Sequence, residues 1–131
     1  MGGGYTSLAY EPFKAEGDVY HPAISYYDSS NSALKFARQG GNGAWDMTTV
    51  ISQGTQGLYT SLTYDAGNRP NIFFFKKTNV TAYRAYRSGG TWKFNYLGTG
   101  GREIQTARKP SGEVAFTNLD ADGIRVELLP G

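Results

Sequence analysis

The sequence predicts an all-β fold made of a repeated unit, and three observations support this prediction. The 131 residues include 18 glycines, 10 tyrosines and 7 phenylalanines but only 18% charged residues. This composition suits short strands and tight turns, because aromatic rings fit a pleated surface and glycine accepts positive φ. Gly, Pro, Asn and Asp separate short runs of β-branched and aromatic residues. The same landmarks then return in the same order further along the chain.

The repeat is clearest between the first two units. The matched landmarks are Tyr-Thr-Ser-Leu at 5–8 and 59–62, Pro-x-Ile at 22–24 and 70–72, and Gly-x-Trp at 43–45 and 90–92. The offsets are 54, 48 and 47 residues by subtraction, and the difference is absorbed between residues 11 and 21. Matched order with nearly constant spacing predicts a duplicated supersecondary unit.

A third copy is present in a more divergent form. Gly-Glu-Val-Ala-Phe at 112–116 aligns without gaps with residues 70–74, and Ile-Arg-Val at 124–126 then falls on residues 82–84. Ile-Gln-Thr-Ala, which begins at Ile104, stands in the place of Tyr-x-Ser-Leu. The chain therefore stops partway through its third unit.

Eleven strands are predicted, four in each of the first two units and three in the last. They cover residues 5–10, 23–27, 33–38 and 45–51, then 59–64, 71–76, 81–87 and 92–97, and finally 104–108, 113–117 and 124–128. The length suits one hydrophobic core and is short for two. We therefore expect a linker at residues 1–4 and a single domain at 5–131, with units at about 5–52, 53–98 and 99–131.

Four antiparallel strands in about 47 residues, repeated in tandem, are typical of a propeller blade. The alternative is a sandwich of two packed sheets, which gives no reason for the landmarks to recur in order. The sequence thus predicts an all-β fold, a β-propeller fragment of about three four-stranded blades. Propellers usually close with about four to eight blades. We expect homodimerisation to complete a six-bladed ring, and a piece cut from a longer multi-blade protein is the alternative.

The landmarks resemble a blade repeat of bacterial secreted and surface propeller proteins. Besides Tyr-x-Ser-Leu and Gly-x-Trp, the resemblance rests on Ile-Ser-Tyr-Tyr-Asp at 24–28, Leu-Lys-Phe-Ala at 34–37 and Asp-Ala-Gly-Asn-Arg-Pro at 65–70, and it covers nearly the whole chain. Propellers of this kind include lectins and sialidase-like hydrolases. The resemblance therefore implies an extracellular or cell-surface location and favours a glycan ligand.

The predicted function is a non-enzymatic, lectin-like binding module that takes carbohydrate through the rim loops of the propeller. Tyrosine offers a sugar an apolar ring face together with a hydroxyl, while charged groups orient the ligand hydroxyls. The predicted ligand-binding residues are Tyr5, Tyr59, Asp28, Lys77, Arg102 and Glu103. Packing between adjacent blades is the alternative role for the two tyrosines. A structural or protein-interaction scaffold is the alternative function, with a sialidase-like glycoside hydrolase as a further one.

Two other features have a structural and a functional interpretation. Trp45 and Trp92 each follow a glycine turn, where a tryptophan staples one blade to the next or, alternatively, serves as a ligand platform. Asp-Ala-Asp-Gly at 120–123 superficially suggests calcium. A calcium loop needs six or more oxygen ligands at set spacing, so a turn between two strands explains this segment better.

No catalytic residue, metal site or cofactor is predicted. The chain has a single histidine, His21, no cysteine and no Gly-x-Ser-x-Gly, which excludes a histidine-based triad and a typical zinc site. A glycosidase needs two carboxyls that face each other, and nothing in the sequence pairs the acids. A net charge of +2 is too small to imply nucleic acid. No apolar run approaches the roughly 20 residues of a membrane span, and the Met-Gly-Gly-Gly start lacks signal-peptide features.

Overall fold

The computed structural model describes residues 5–15, 17–52, 56–77, 80–100, 102–120 and 123–129, and within these ranges the chain forms eleven strands and no α-helix. Sheet 1 contains β1 (Thr6–Tyr10), β2 (Pro22–Asp28), β3 (Ala33–Gln39) and β4 (Trp45–Ile51). Sheet 2 contains β5 (Gln56–Tyr64), β6 (Pro70–Lys76), β7 (Thr81–Ser88) and β8 (Thr91–Thr99). Sheet 3 contains β9 (Arg102–Arg108), β10 (Val114–Asp120) and β11 (Gly123–Leu129).

Each sheet is an antiparallel meander in which strands pair with their neighbours in the sequence. The all-β prediction is confirmed, and every predicted strand is present with ends displaced by at most three residues. The turns explain this agreement. Between β7 and β8, for example, Ser88 pairs with Thr91 across Gly89 and Gly90, whose φ angles are 61° and 79°. A two-residue hairpin turn with positive φ at both positions favours glycine strongly.

Sheet 2 lies between the other two sheets. We call the face of a sheet that meets the preceding sheet its leading face, and the opposite one its trailing face. The leading face of sheet 2 presents Leu62, Tyr64, Ile72, Phe74, Tyr83, Ala85 and Trp92 to Ala23, Leu34, Phe36 and Val50 on the trailing face of sheet 1. Phe74, Ile72 and Leu34 are fully buried, and full burial of such side chains contributes about 1.5–3 kcal/mol each.

A second core joins sheets 2 and 3. The trailing face of sheet 2 contributes Phe73, Ala82 and Leu97, which pack against Ile104, Val114 and Phe116 on the leading face of sheet 3. The rings of Phe73 and Phe116 lie 4.8 Å apart. β6 therefore fills both cores, which explains why residues 71–75 are all buried where an ordinary half-exposed strand alternates.

The serine of Tyr-x-Ser-Leu joins neighbouring sheets. The Oγ of Ser7 accepts a hydrogen bond of 2.9 Å from the amide of Leu62, and the Oγ of Ser61 lies 2.9 Å from the Oγ1 of Thr106. The hydroxyls of Ser25 and Thr60 form a further inter-sheet bond of 2.8 Å. A small hydroxyl residue lets the first strands approach closely while its own polar group stays paired.

The third unit is shifted relative to the predicted alignment. The amide of Asn68 donates to the carbonyl of Asp65 in the β5–β6 turn, and the amide of Gly112 donates to the carbonyl of Lys109 in the β9–β10 turn. Asn68 and Gly112 also share positive φ, at 58° and 97°. Gly112 thus occupies the place of Asn68, and the predicted match with Pro70 is wrong by two residues. A shift of two keeps every side chain on its face, so the hydrophobic pattern does not distinguish the two alignments.

The same register corrects the start of the unit. Arg108 pairs with Val114 at the turn as Tyr64 pairs with Pro70. Counting back from Arg108, Gln105 takes the place of Ser61, whereas the predicted alignment had assigned that place to Thr106. The later alignment of 124–126 with 82–84 is confirmed, because Thr117 pairs with Val126 as Phe73 pairs with Arg84.

Candidate functional site

The backbone brings all six predicted ligand-binding residues to one end of the three sheets. The start of a first strand and the end of an antiparallel second strand meet at the same end. Tyr5 precedes β1, Asp28 ends β2, Tyr59 lies in β5, Lys77 follows β6, and Arg102 and Glu103 begin β9. We call this the Tyr5 end. The side chains of Arg102 and Glu103 lie outside the part of the chain that the structure describes.

The two tyrosines contact each other across sheets 1 and 2. The ring centroids of Tyr5 and Tyr59 are 4.8 Å apart with an interplanar angle of 50°, and Tyr59 in turn meets Phe75 at 5.9 Å. A hydrogen bond with the Tyr59 hydroxyl raises the pKa of Tyr5. Tyr59 therefore packs between the sheets, while Tyr5 remains 36% exposed and extends this aromatic row to the surface.

The backbone around Tyr59 is irregular. Tyr59 has a φ of 52°, and the register between β5 and β6 shifts between Leu58 and Ser61. Positive φ is uncommon for a bulky residue, and a bulge redirects the side chain of the bulged strand. The bulge thus lets Tyr59 meet Tyr5 instead of following the regular alternation of β5.

Asp28 is held by the turn that follows β2. Its Oδ1 accepts a hydrogen bond of 3.1 Å from the amide of Ser30, and its Oδ2 accepts one of 2.7 Å from Nδ2 of Asn31. The hydrogen bond from Asn31 lowers the pKa of the carboxyl. An ionised carboxylate has about four acceptor positions, so Asp28 can accept further bonds from a ligand.

Lys77 follows β6 at the same end and is exposed. Its carbonyl accepts a hydrogen bond of 3.4 Å from the amide of Val80, which has a φ of 51°. The neighbouring Lys76 places its Nζ 5.8 Å from the ring centroid of Tyr83. This loop differs from the Asp28 turn in charge, so the two units present different chemistry at the Tyr5 end.

The two tryptophans have different surroundings. Trp92 packs edge-on against Phe36 of sheet 1, with centroids 5.4 Å apart and planes at 70°, as expected of a residue that staples neighbouring sheets. The guanidinium of Arg87 lies 5.9 Å from the Trp92 ring. Trp45 occupies the matching position on sheet 1 and is 41% exposed.

Sequence reasoning missed a network of charged groups at the opposite end, which we call the Glu11 end. Glu11 is 5% exposed and accepts hydrogen bonds from the Nε of Arg38 and, over 3.2 Å, from Nδ2 of Asn68 in the next unit. These three side chains come from three different parts of the chain. The repeat did contain a sequence signal for the acids of this network, because an acid follows a tyrosine at both 10–11 and 64–65.

In the second unit, Asp65 takes the place of Glu11 and again accepts hydrogen bonds from an arginine and an asparagine, but these come from its own unit. Oδ1 of Asp65 accepts hydrogen bonds of 2.9 and 3.0 Å from the amides of Gly67 and Arg69, and its Oδ2 accepts one of 2.9 Å from the Nε of Arg69. The Nδ2 of Asn71 adds a bond of 3.2 Å. Arg84 donates to Asn71 over 2.6 Å. The Asp65 carboxylate is thus saturated by its own turn, which identifies it as a structural group.

The third unit reverses the charges. Lys109 takes the place of Asp65, and its Nζ lies 3.0 Å from the Oε2 of Glu113. Ser111 donates to the same oxygen over 3.4 Å. These donors lower the pKa of Glu113. An ion pair across the turn is therefore kept in the second and third units even though its polarity changes.

Tyr64 lies beside the Glu11 network. The side chain is 3% exposed, and its hydroxyl has no hydrogen-bond partner among the described residues. Burial and the nearby charge of Glu11 raise the pKa of Tyr64, while Arg38 acts in the opposite direction. A buried hydroxyl without a partner costs free energy.

Among the described residues, no group of three or more His, Cys, Asp or Glu side chains is placed to hold a metal ion. His21 is buried, and its Nδ1 lies 2.8 Å from the carbonyl oxygen of Gln39. The carboxylates of Glu11 and Asp65 are paired with arginines within the network. In the described part of the chain we find no helix that is long and apolar enough to cross a membrane. Neither a model of a known protein family nor a curated protein sequence matches the chain.

Proposed function

We propose that the three sheets are blades of a β-propeller fragment and that the Tyr5 end binds carbohydrate without catalysing a reaction. The observation that carries the proposal is the exposed Tyr5 ring packed against Tyr59, at the end where Asp28 and Lys77 also lie. An aromatic face beside an ionised acceptor and a cationic donor is a combination that suits a sugar ring and its hydroxyls.

The sheet arrangement supports the propeller interpretation. Each sheet is a meander, the sheets pack face to face in chain order, and β5 lies against β1 on one side and against β9 on the other. Blades of a propeller stack in this manner around an axis, with their first strands innermost. On this interpretation the Tyr5 end is the rim of the central channel.

The distribution of charge supports binding over catalysis. The buried acids Glu11 and Asp65 accept hydrogen bonds from arginine and asparagine side chains at the Glu11 end, and Asp28 at the Tyr5 end is held by Ser30 and Asn31. A glycosidase needs one carboxyl with a raised pKa to act as the acid. The pKa of Asp28 is shifted downward, which suits a hydrogen-bond acceptor.

A glycan panel followed by calorimetry tests the proposal. We expect Tyr5→Ala to weaken binding of a captured glycan by about fivefold to tenfold, because the ring supplies roughly 1 kcal/mol of stacking. The matched control is Tyr20→Ala, since Tyr20 is 51% exposed but lies beside the Glu11 end. Equal loss in both variants would contradict the site.

The panel also separates the alternative functions. Absence of binding to every glycan would overturn the carbohydrate proposal in favour of an interaction scaffold. A chromogenic sialoside and a neutral chromogenic glycoside test chemistry directly, and we expect no turnover. Turnover that disappears in Asp28→Asn would show a hydrolase.

A further inference from the structure

The leading face of sheet 1 carries a cluster of apolar side chains, flanked on the same face by Lys35 and Thr49, and has no sheet against it within the described part of the chain. Four of its side chains are among the most exposed large apolar groups, namely Leu8 at 62%, Tyr10 at 61%, Trp45 at 41% and Met47 at 65%. Ile24 lies between them, paired with Leu8. Contiguous apolar surface of this kind marks an interaction site.

The internal repeat shows how the chain uses this face elsewhere. Leu62, Tyr64 and Ile72 occupy on sheet 2 the places of Leu8, Tyr10 and Ile24 on sheet 1, as the register of the first two strands shows. Their exposed fractions are 5%, 3% and 0%. These three positions are therefore buried on sheet 2, where a preceding sheet is present, and the surface that buries them is the trailing face of sheet 1.

The trailing face of sheet 3 is the matching surface at the other end of the stack. Its described side chains are Gln105, Ala107, Ala115, Thr117 and Val126, which are small or uncharged. Val126 is 69% exposed. Because none of these described side chains is charged, they can cover the apolar cluster without burying an unpaired ion.

We propose that the trailing face of sheet 3 in one copy of the chain covers the leading face of sheet 1 in a second copy. This proposal concerns assembly and goes beyond carbohydrate binding. Because the repeat fixes equivalent positions, it also fixes the contacts. Ser7 meets Leu62 between sheets 1 and 2, so Gln105 of one copy meets Leu8 of the other. Phe36 meets Trp92, so Val126 meets Trp45.

The contact joins two different faces, so it is heterologous. Such contacts form a ring if the rotation closes and an open filament if it does not. Each copy supplies three sheets, and two copies related by a two-fold axis make two identical contacts and a closed ring of six. We infer the dimer because propellers close with about four to eight blades.

Cysteine cross-linking tests the contact, and the natural chain contains no cysteine. Between sheets 2 and 3, the equivalent side chains of Ser61 and Thr106 have their oxygens 2.9 Å apart, so side chains at these two positions meet directly, as the sulfurs of a disulfide must. We expect the double variant L8C/Q105C to form a disulfide-linked dimer under mild oxidation. Leu8 and Gln105 lie on opposite outer faces of the three-sheet stack, so an intrachain bond is not possible in the folded protein.

Two controls make the cross-link decisive. The pair L8C/K109C keeps the first cysteine and moves the second to the exposed turn of Lys109, and we expect little linked dimer. The single variant L8C tests a symmetric contact between two leading faces. Efficient linkage in L8C alone, or equal linkage in both pairs, would overturn the proposal.

Molar mass by light scattering provides the second test. We expect the natural chain to have twice the mass of 14.3 kDa, and Leu8→Lys to shift it to the monomer, because the equivalent Leu62 is 5% exposed and the lysine charge would be buried at the contact. Val80→Lys is the control, since Val80 is 47% exposed and lies outside both faces. Circular dichroism confirms that both variants fold. A natural chain that stays monomeric at tens of micromolar, together with an L8C/Q105C variant that forms no linked dimer, would refute the contact, whatever the glycan panel shows.

Discussion

Substitution of Tyr64 by phenylalanine is expected to stabilise the protein. The Tyr64 side chain is 3% exposed, and its hydroxyl lacks a hydrogen-bond partner among the described residues. The ring belongs to the core between sheets 1 and 2, and phenylalanine fills the same space. The substitution therefore removes one buried polar group and leaves the packing intact.

The magnitude follows from the cost of an unpaired polar group. Leaving a hydroxyl buried without a partner costs about 1–3 kcal/mol, and we expect Tyr64→Phe to raise the free energy of unfolding by about 1 kcal/mol. For a chain of this length that corresponds to a rise in Tm of roughly 3–5 °C.

The pH dependence of the free energy of unfolding should change as well. Burial raises the pKa of Tyr64 above its ordinary value of 10.0. As the pH rises, the unfolded chain therefore loses the hydroxyl proton of Tyr64 before the folded chain does. The stability of the fold is not reduced by this titration below about pH 10, and it falls as the pH rises above that value. Tyr64→Phe should lose less stability than the natural protein between pH 9 and 11.

Thermal and urea unfolding at pH 7 and at alkaline pH measure both effects. Ser61→Ala is a suitable reference, because it removes a paired hydroxyl and should lower stability by about 1 kcal/mol. A Tyr64→Phe protein that is less stable than the natural one by a similar amount would refute the reasoning, since the hydroxyl would then have a partner.

Two further predictions concern turns. Gly112→Ala should lower the free energy of unfolding by about 2–4 kcal/mol, because a Cβ there would lie 2.3 Å from the Cβ of Ala66 and φ is +97°. The control is Gly43→Ala, since Gly43 also has positive φ but a Cβ there would have nothing within 4 Å, and we expect it to cost about 1 kcal/mol. Equal losses of the two variants in urea unfolding would contradict the contact with Ala66. Asn31→Ala should raise the pKa of Asp28, measured by NMR titration, because the hydrogen bond that lowers it is removed. Since that bond stabilises the ionised form, its contribution to folding stability is present above the unfolded pKa of the carboxyl and is lost as the pH falls. An unchanged titration would show that the bond is absent in solution.

Strand positions could be predicted because their signals are local. The Gly89-Gly90 turn and the alternation of β2 each lie within a few residues of sequence. The alignment of the third unit failed for the same reason. A shift of two residues preserves the alternation of a strand, and the two alignments are distinguished only by the turn, where Asn68 and Gly112 share positive φ and the same hydrogen bond.

The functional residues, too, could be predicted from the sequence only in part. The end at which Tyr5, Asp28 and Lys77 lie follows from strand order, and sequence was sufficient to predict it. The partners of Glu11 were not predictable, because Arg38 and Asn68 are 27 and 57 residues away. Such contacts depend on how two sheets stack, and no pattern within one unit records that geometry.

The pairing of strands with their neighbours in sequence has a consequence for folding. Each hairpin closes a loop of modest length, and chains with local pairing fold faster than those with distant pairing. During synthesis, sheet 1 can form as soon as β4 has emerged, but Leu34 and Phe36 remain in water until sheet 2 forms and covers them. An apolar face is therefore exposed to aggregation in the interval between the formation of sheet 1 and that of sheet 2, and slow translation of β5 to β8 would prolong this interval.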